Sequence, residues 1–191
     1  MSRSVVSLII ISILSFLYIS IAYAYSSEVE LNTKQYYQST VYTCGPAAVM
    51  ILLNFYGRLS SSDMNSQTEL KIANEMDASP GIGGGTTSDQ VANWLTRHGF
   101  HVQEGDVVSA SLLADSISQG HPVMVSYDGH WLIAKGFITD SDSTDPQVFI
   151  FTDSVEGTTT ISARSIDLLW GSAHLPYARF RANGEYIIAT P

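Results

Sequence analysis

The stretch from Cys44 to Phe55, CGPAAVMILLNF, constrains the fold more than any other part of the chain. Ala47, Ala48, Met50, Ile51, Leu52, Leu53 and Phe55 leave almost no polar face, and Gly57 ends the run. A helix that is apolar nearly all round has to be enclosed nearly all round. The rest of the chain must therefore supply layers that cover it. Pro46 is tolerated only in the first helical turn, where no backbone donor is needed. That spacing places Cys44 at the N-terminus of a central buried helix.

The surroundings are read outward from there. Residues 25–35 are polar and expected to be extended, and Gln35 to Thr43 (QYYQSTVYT) is an irregular, β-prone entry to the helix. Ser60 to Ser66 is a polar loop. Gln67 to Met76 is expected to form an amphipathic helix with Leu70, Ile72, Ala73 and Met76 on its apolar side. Pro80 and the glycines at 81, 83, 84 and 85 form a flexible loop. Thr87 or Ser88 caps a helix through His98, with Val91, Trp94 and Leu95 facing inward and Gly99 closing it. Phe100 and Val102 begin a strand, and Ser109 or Ser111 starts a helix that ends near Gly120.

The last third is strand-like. PVMVSY (122–127), HWLIAKGF (130–137), VFIFTD (148–153) and YIIA (186–189) are strong β segments. Asp128-Gly129 makes a tight turn between the first two, and Asp140 to Pro146 a longer loop between the next two. Helices followed by an antiparallel sheet give an α+β fold. There is no internal repeat and no linker, so residues 25–191 are expected to form one domain.

Residues 1–24 stand apart. Arg3 is followed by an almost wholly apolar run from Val5 to Ala22, and Ala22-Tyr23-Ala24 is a small-x-small cleavage pattern. These are the parts of a secretory signal peptide cut after Ala24. The alternative is an uncleaved N-terminal anchor, because the run approaches spanning length. Removing residues 1–24 takes away one base and no acid. The remaining 8 Lys and Arg face 18 Asp and Glu, a formal charge of −10. That acidity argues against nucleic acid and against anionic lipid as partners. The expectation is an exported protein, periplasmic or secreted, with no stable membrane association once the signal is removed.

Cys44 is the one cysteine. In an oxidising compartment cysteines usually pair, and a single one cannot pair within its own chain. It is a buried inert thiol, a partner for another chain, or a free reactive thiol. Its place at a helix N-terminus favours the last, because the thiolate is the nucleophile and the helix dipole stabilises it. Gly45 behind it is expected to leave room for a substrate backbone. A catalytic thiol needs a base, and there are five histidines: His98, His101, His121, His130 and His174. Only His130 opens a strongly apolar strand directly after a turn, where a sheet rim can face a helix N-terminus. A partly exposed strand-end histidine is the competing explanation. If 148–153 pairs antiparallel with 130–137, Asp153 comes to lie beside His130 and can orient it. Asp128 and Asp140 are nearer in sequence but sit in turns.

These segments together resemble a family. Gln38-Ser-Thr-Val-Tyr-Thr-Cys44-Gly45-Pro46-Ala47-Ala48 is similar to the active-site motif of the bacteriocin-processing, double-glycine-leader cysteine peptidases, with Gln38 six residues before the nucleophile. Gly129 to Phe137 resembles that family's His motif, and Phe151-Thr152-Asp153-Ser154 its Asp motif, where proline often follows the Asp. Gly85-Thr86-Thr87 through Trp94, Arg97 and Gly99-Phe100 is similar to its middle helix. The likeness covers roughly residues 35–156. It implies a papain-like fold, N-terminal helices packed on a C-terminal antiparallel sheet, with Cys44, His130 and Asp153 as a triad. It also implies that Gln38 donates its amide to the oxyanion, beside the Cys44 N–H.

The expected function is that of a stand-alone exported thiol peptidase acting on a peptide or protein substrate through an acyl-enzyme. The same machinery could transfer the acyl group to an amine. A peptide-binding module without catalysis and a protein that dimerises through Cys44 are the other readings. The leader specificity of the exporter-fused members is not carried over. No cofactor is expected: one cysteine cannot build a zinc cage, the histidines lack ligand spacing, and the Gly81–Gly85 run lacks the Lys-Ser/Thr of a phosphate loop.

Overall fold

A computed structural model describes residues 27–81, 83–140, 143–169 and 184–191. The expected signal peptide, residues 1–24, and His174 lie outside the described residues. The elements in chain order are β1 (Ser27–Glu30), α1 (Cys44–Phe55), α2 (Ser66–Glu75), α3 (Ser88–Arg97), β2 (His101–Gly105), α4 (Ala110–Ser118), β3 (Val123–Tyr127), β4 (His130–Thr139), β5 (Pro146–Asp153), β6 (Gly157–Ser162), α5 (Ala163–Leu169) and β7 (Tyr186–Thr190). The α+β expectation holds, with three helices ahead of most of the sheet.

Among the described residues the seven strands form one antiparallel sheet in the order β2-β7-β3-β4-β5-β6. β4 is its spine. Its first half pairs with β3, its second half with β1, and its other edge with β5. Asp128 (φ 52°) and Gly129 (φ 77°) both turn left-handed in the β3–β4 hairpin, the twist a two-residue turn needs. Lys135 Nζ lies 2.6 Å from Glu30 Oε1 and ties β1 to β4.

Strand alternation splits the core into two layers. Met124, Trp131, Ile133, Ile187 and Ala189 face α1, α2 and α3. Val123, Val125, Leu132, Ala134, Phe149 and Phe151 face the other way, with Leu113, Ile117 and Ile166 of α4 and α5. α1 is buried from Cys44 to Leu53, as its composition demands. Truncating a residue such as Met50 or Ile51 to alanine would cost about 2–5 kcal/mol.

Three details differ from the sequence reading. β6 and α5 were not expected. β7, last in sequence, lies between β2 and β3, an insertion that chain order does not reveal. On α2, Leu70 is 37% exposed, whereas Glu69 is fully buried beside Ile72, Ala73 and Met76. Positions 69, 72, 73 and 76 share one helical face, and position 70 falls off it.

Candidate active site

α1 begins without a side-chain cap. The Thr43 hydroxyl turns back onto the Thr40 carbonyl (3.2 Å), and no acidic residue occupies the first turn. Pro46 has no N–H, and Ala47 N–H is taken by the Thr43 carbonyl. Among the described residues the Cys44 and Gly45 N–H groups therefore have no protein acceptor. An open helix N-terminus favours negative charge placed there. Cys44 is 6% exposed and makes no disulfide.

Gly45 serves a different purpose from the one expected. A Cβ there would lie 2.0 Å from Thr86 Oγ1 and 3.3 Å from Trp131 Cδ1. The space is filled by protein, not kept for a substrate. Trp131 Nε1–H donates to the Thr86 carbonyl (3.2 Å), so β4 and the segment after the glycine run close together against the start of α1. Ser79 and Gly85 form an antiparallel bridge across that run.

His130 is the first residue of β4, and Asp153 the last of β5. The register sets Leu132 opposite Asp153, so Asp153 and His130 belong to the same face, two residues apart along β4. His130 Nε2 donates to Asp153 Oδ1 at 2.8 Å. The same oxygen accepts the N–H groups of Val155 (2.6 Å) and Glu156 (3.2 Å), which holds the carboxyl rigidly at the turn. With Nε2 engaged on Asp153, Nδ1 is the ring nitrogen left over, and Cys44 is the other neighbour that acts on the ring's charge. Burial opposes the charged imidazolium, but the hydrogen bonds and charges of Cys44 and Asp153 outweigh it and raise His130 to about 9.

Gln38 joins from a strap that precedes α1. Its Oε1 accepts from Ser154 Oγ (2.7 Å), its backbone N–H donates to the Ser154 carbonyl (2.9 Å), and its Nε2 donates to the Thr40 carbonyl (2.6 Å). Thr40 O is also the acceptor for Thr43, so the Gln38 amide stands beside the N-terminus of α1. One amide hydrogen is used on Thr40. Ser154 occupies the position where the resembled motif often has proline, and its hydroxyl orients the amide. Gln38 is thus half-buried and anchored at both ends, unlike a solvated loop residue.

The strap carries more anchors, none of them expected from sequence. Thr33 bonds Thr152 (2.8 Å), and Gln35 Nε2 donates to the Asp153 carbonyl (2.7 Å). On the helical side, Tyr36 and Ser39 both bond Glu69. A polar residue on the apolar face of a predicted helix was the signal for Glu69. Among the other described histidines, His98 stacks on Trp94 (centroids 3.6 Å apart), His121 Nδ1 approaches Tyr56 Oη (3.4 Å), and His101 lies in β2. Among the described residues no group of three or more His, Cys, Asp or Glu side chains converges as metal ligands would.

A cavity of about 710 Å³ opens beside the pair, lined by His130, Asp153, Leu132 and Tyr127 and by Thr159 and Ile161 of β6. Its lining includes neither Cys44 nor Gln38.

A buried helix with a cysteine at its N-terminus, set against a sheet whose rim carries a His–Asp pair, is the papain-like architecture. The sequence profile of the Peptidase_C39-like family matches residues 30–182, and the chain belongs to that family. Among solved structures it is similar to a C39-like peptidase from Bacillus anthracis, at 12% identity over 86% of this chain and 98% of the other, with a TM-score of 0.58. It is also similar to the peptidase domain of Streptococcus ComA, a bi-functional ABC transporter involved in quorum sensing (15%, 84% and 99%, 0.54). A third is a double glycine motif protease from an AMS/PCAT transporter, solved in complex with the leader peptide (14%, 85% and 94%, 0.53). At these identities the likeness carries the fold. Among curated proteins no match is found.

Proposed function

We propose that this protein is a thiol peptidase that cleaves a peptide bond through Cys44, His130 and Asp153, with Gln38 as oxyanion donor. The carrying observation is the His130–Asp153 pair, 2.8 Å apart on the rim of the sheet, with Cys44 at the α1 N-terminus acting on the charge of the same ring. Cys44 Sγ attacks the scissile carbonyl carbon as its proton passes to His130 Nδ1. Negative charge moves to the carbonyl oxygen, where the Cys44 N–H and the second Gln38 amide hydrogen meet it. As the tetrahedral intermediate collapses, His130 protonates the leaving amine and the acyl group remains on sulfur as a thioester. Water, deprotonated by His130, then attacks the thioester and releases the acid and the thiol. Asp153 keeps the ring oriented and stabilises its charged form throughout.

The leaving nitrogen has to lie on the side of His130. The cavity borders His130 and Asp153 without touching the nucleophile or Gln38, and it receives the substrate beyond that nitrogen. The test is peptide-library profiling of the protein against Cys44→Ala: discrete cleavage products with the parent only support the reading, and products with both, or with neither, contradict it. Export and cleavage after Ala24 complete the proposal. N-terminal sequencing of protein from the cell envelope would find Tyr25 first, and Met1 on membrane-bound material would point to an anchor instead.

A further inference from the structure

We propose that Glu69, on α2, is a positioning residue for peptide cleavage, clamping the strap on either side of Gln38 so that the Gln38 amide meets the oxyanion. The inference rests on the reading of Gln38 as oxyanion donor. Glu69 is 0% exposed, and among the described residues none of its bonds is to a Lys or Arg. Its Oε2 accepts from Tyr36 Oη at 2.8 Å, and both carboxyl oxygens accept the Ser39 N–H at 3.0 Å. The two residues it grips bracket Gln38 in sequence.

A buried carboxyl is a poor device for stability alone. Removing such a group from water is unfavourable unless it is fully hydrogen-bonded, and an apolar residue of similar size often does as well. Here Ile72, Ala73 and Met76 already bury that face of α2. What a carboxyl supplies here is two oxygens that accept. Both groups presented to it are donors, a backbone N–H and a phenol. Tyr36 remains a donor, because burial and then the contact with Glu69 push its phenol above the ordinary range. A glutamine with its oxygen at the Oε2 position would keep the Tyr36 bond and one of the two Ser39 contacts, but would turn its NH2 toward the Ser39 N–H where Oε1 now accepts.

Gln38 is therefore held from two sides. Ser154, at the end of β5, fixes the orientation of the amide, and Glu69 fixes the path of the backbone that carries it. The strap links the helical layer, which bears Cys44, to the sheet, which bears His130. An oxyanion donor is effective only within a few tenths of an ångström of its position, and small displacements at a distance from the chemistry lower turnover strongly.

The test compares Glu69→Gln with the parent, alone and combined with Gln38→Ala, in the full chain. The probes are a fluorogenic peptide selected from a library on the parent, iodoacetamide for Cys44, and the thermal midpoint. Glu69→Gln is expected to lower kcat by about tenfold, with KM within about twofold. Alkylation of Cys44 should be unchanged, because alkylation creates no oxyanion. In the Gln38→Ala background the same substitution should cost less than about twofold, since the group it positions is gone. Tyr36→Phe, which keeps the ring and the fold and removes one of the clamp's donors, should lower kcat by about threefold on the same pattern. An unchanged kcat in both single variants, a full-sized loss repeated in the Gln38→Ala background, or a parallel fall in alkylation would overturn the role of Glu69. If Gln38→Ala itself turns over like the parent, the reading of Gln38 fails first and the clamp has nothing to position.

Discussion

Cys44 stands at the head of a helix buried on nearly every side, whereas His130 and Asp153 stand where two strands end at a turn. The helix places its residue by local rules alone: Pro46 marks the first turn, the apolar run marks the rest, and the open N-terminus follows. The sheet places its residues by register, since Leu132 must face Asp153 before the carboxyl can reach His130. A one-residue slip would send Asp153 to the opposite face and leave His130 unpaired. The placement of Cys44 is thus robust to changes in the sheet, while the His130–Asp153 pair depends on the β4–β5 pairing.

The largest effects should separate the two regions from everything else. Cys44→Ala and His130→Ala should each abolish turnover by several orders of magnitude. Cys44→Ala leaves a small residue at a buried site and should move the thermal midpoint little. A cleavage product that persists in Cys44→Ala would place the nucleophile elsewhere.

Next comes the link between the regions. Gln38→Glu keeps an oxygen for Ser154 Oγ–H and removes the amide donor. It should lower kcat by roughly 100- to 1000-fold while alkylation by iodoacetamide persists. Gln38→Ala removes two side-chain hydrogen bonds as well, so its stability should fall by about 1–2 kcal/mol. Turnover within a few-fold of the parent in both variants would make Gln38 a structural residue of the strap.

Asp153→Asn should have a smaller effect than His130→Ala, because the base remains and the amide oxygen can still accept from it. Its signature is in pH. His130 sits at about 9, above its ordinary 6.5, so the charged ring should persist to alkaline pH and the high-pH limb of kcat/KM should fall near 9. Loss of the Asp153 charge should move that limb down. Stability has the matching sign: the folded pKa is raised, so the contribution is full below 6.5 and is lost as pH rises through about 9. A limb that stays put in Asp153→Asn would mean that the carboxyl only braces the turn at Val155 and Glu156.

The smallest contrast lies on α2. Ile72→Ala should cost about 2–4 kcal/mol, and Leu70→Ala within about 0.5 kcal/mol, read from denaturant midpoints. Equal costs would return Leu70 to the apolar face.

How legible each region is follows from the range of the forces that place it. α1, the caps of α3 and α4 and the Asp128–Gly129 turn depend on neighbours within a few residues, and composition reveals them. His130 and Asp153 were within reach because two strongly β segments flank a short connection and antiparallel pairing is the simplest way to join them. β7 was not, since nothing in YIIA says that it enters between β2 and β3. The strap was least legible. Gln35, Tyr36 and Ser39 find partners 118, 33 and 30 residues away, and polar side chains carry no periodic trace of such partners. Glu69 alone left a mark, as a carboxyl where an amphipathic helix should be apolar.

The proposed chemistry requires that Cys44 from the helix and His130 from the sheet are in contact, so that Cys44 helps to hold the charge of the ring. NMR titration of His130 tests it most directly, in the parent, in Cys44→Ala and in Asp153→Asn. A midpoint near 9 in the parent, falling in each variant as one stabilising partner is removed, is the expected result. A midpoint near 6.5 in the parent that Cys44→Ala leaves unmoved would contradict it, because the two regions would then not be in contact.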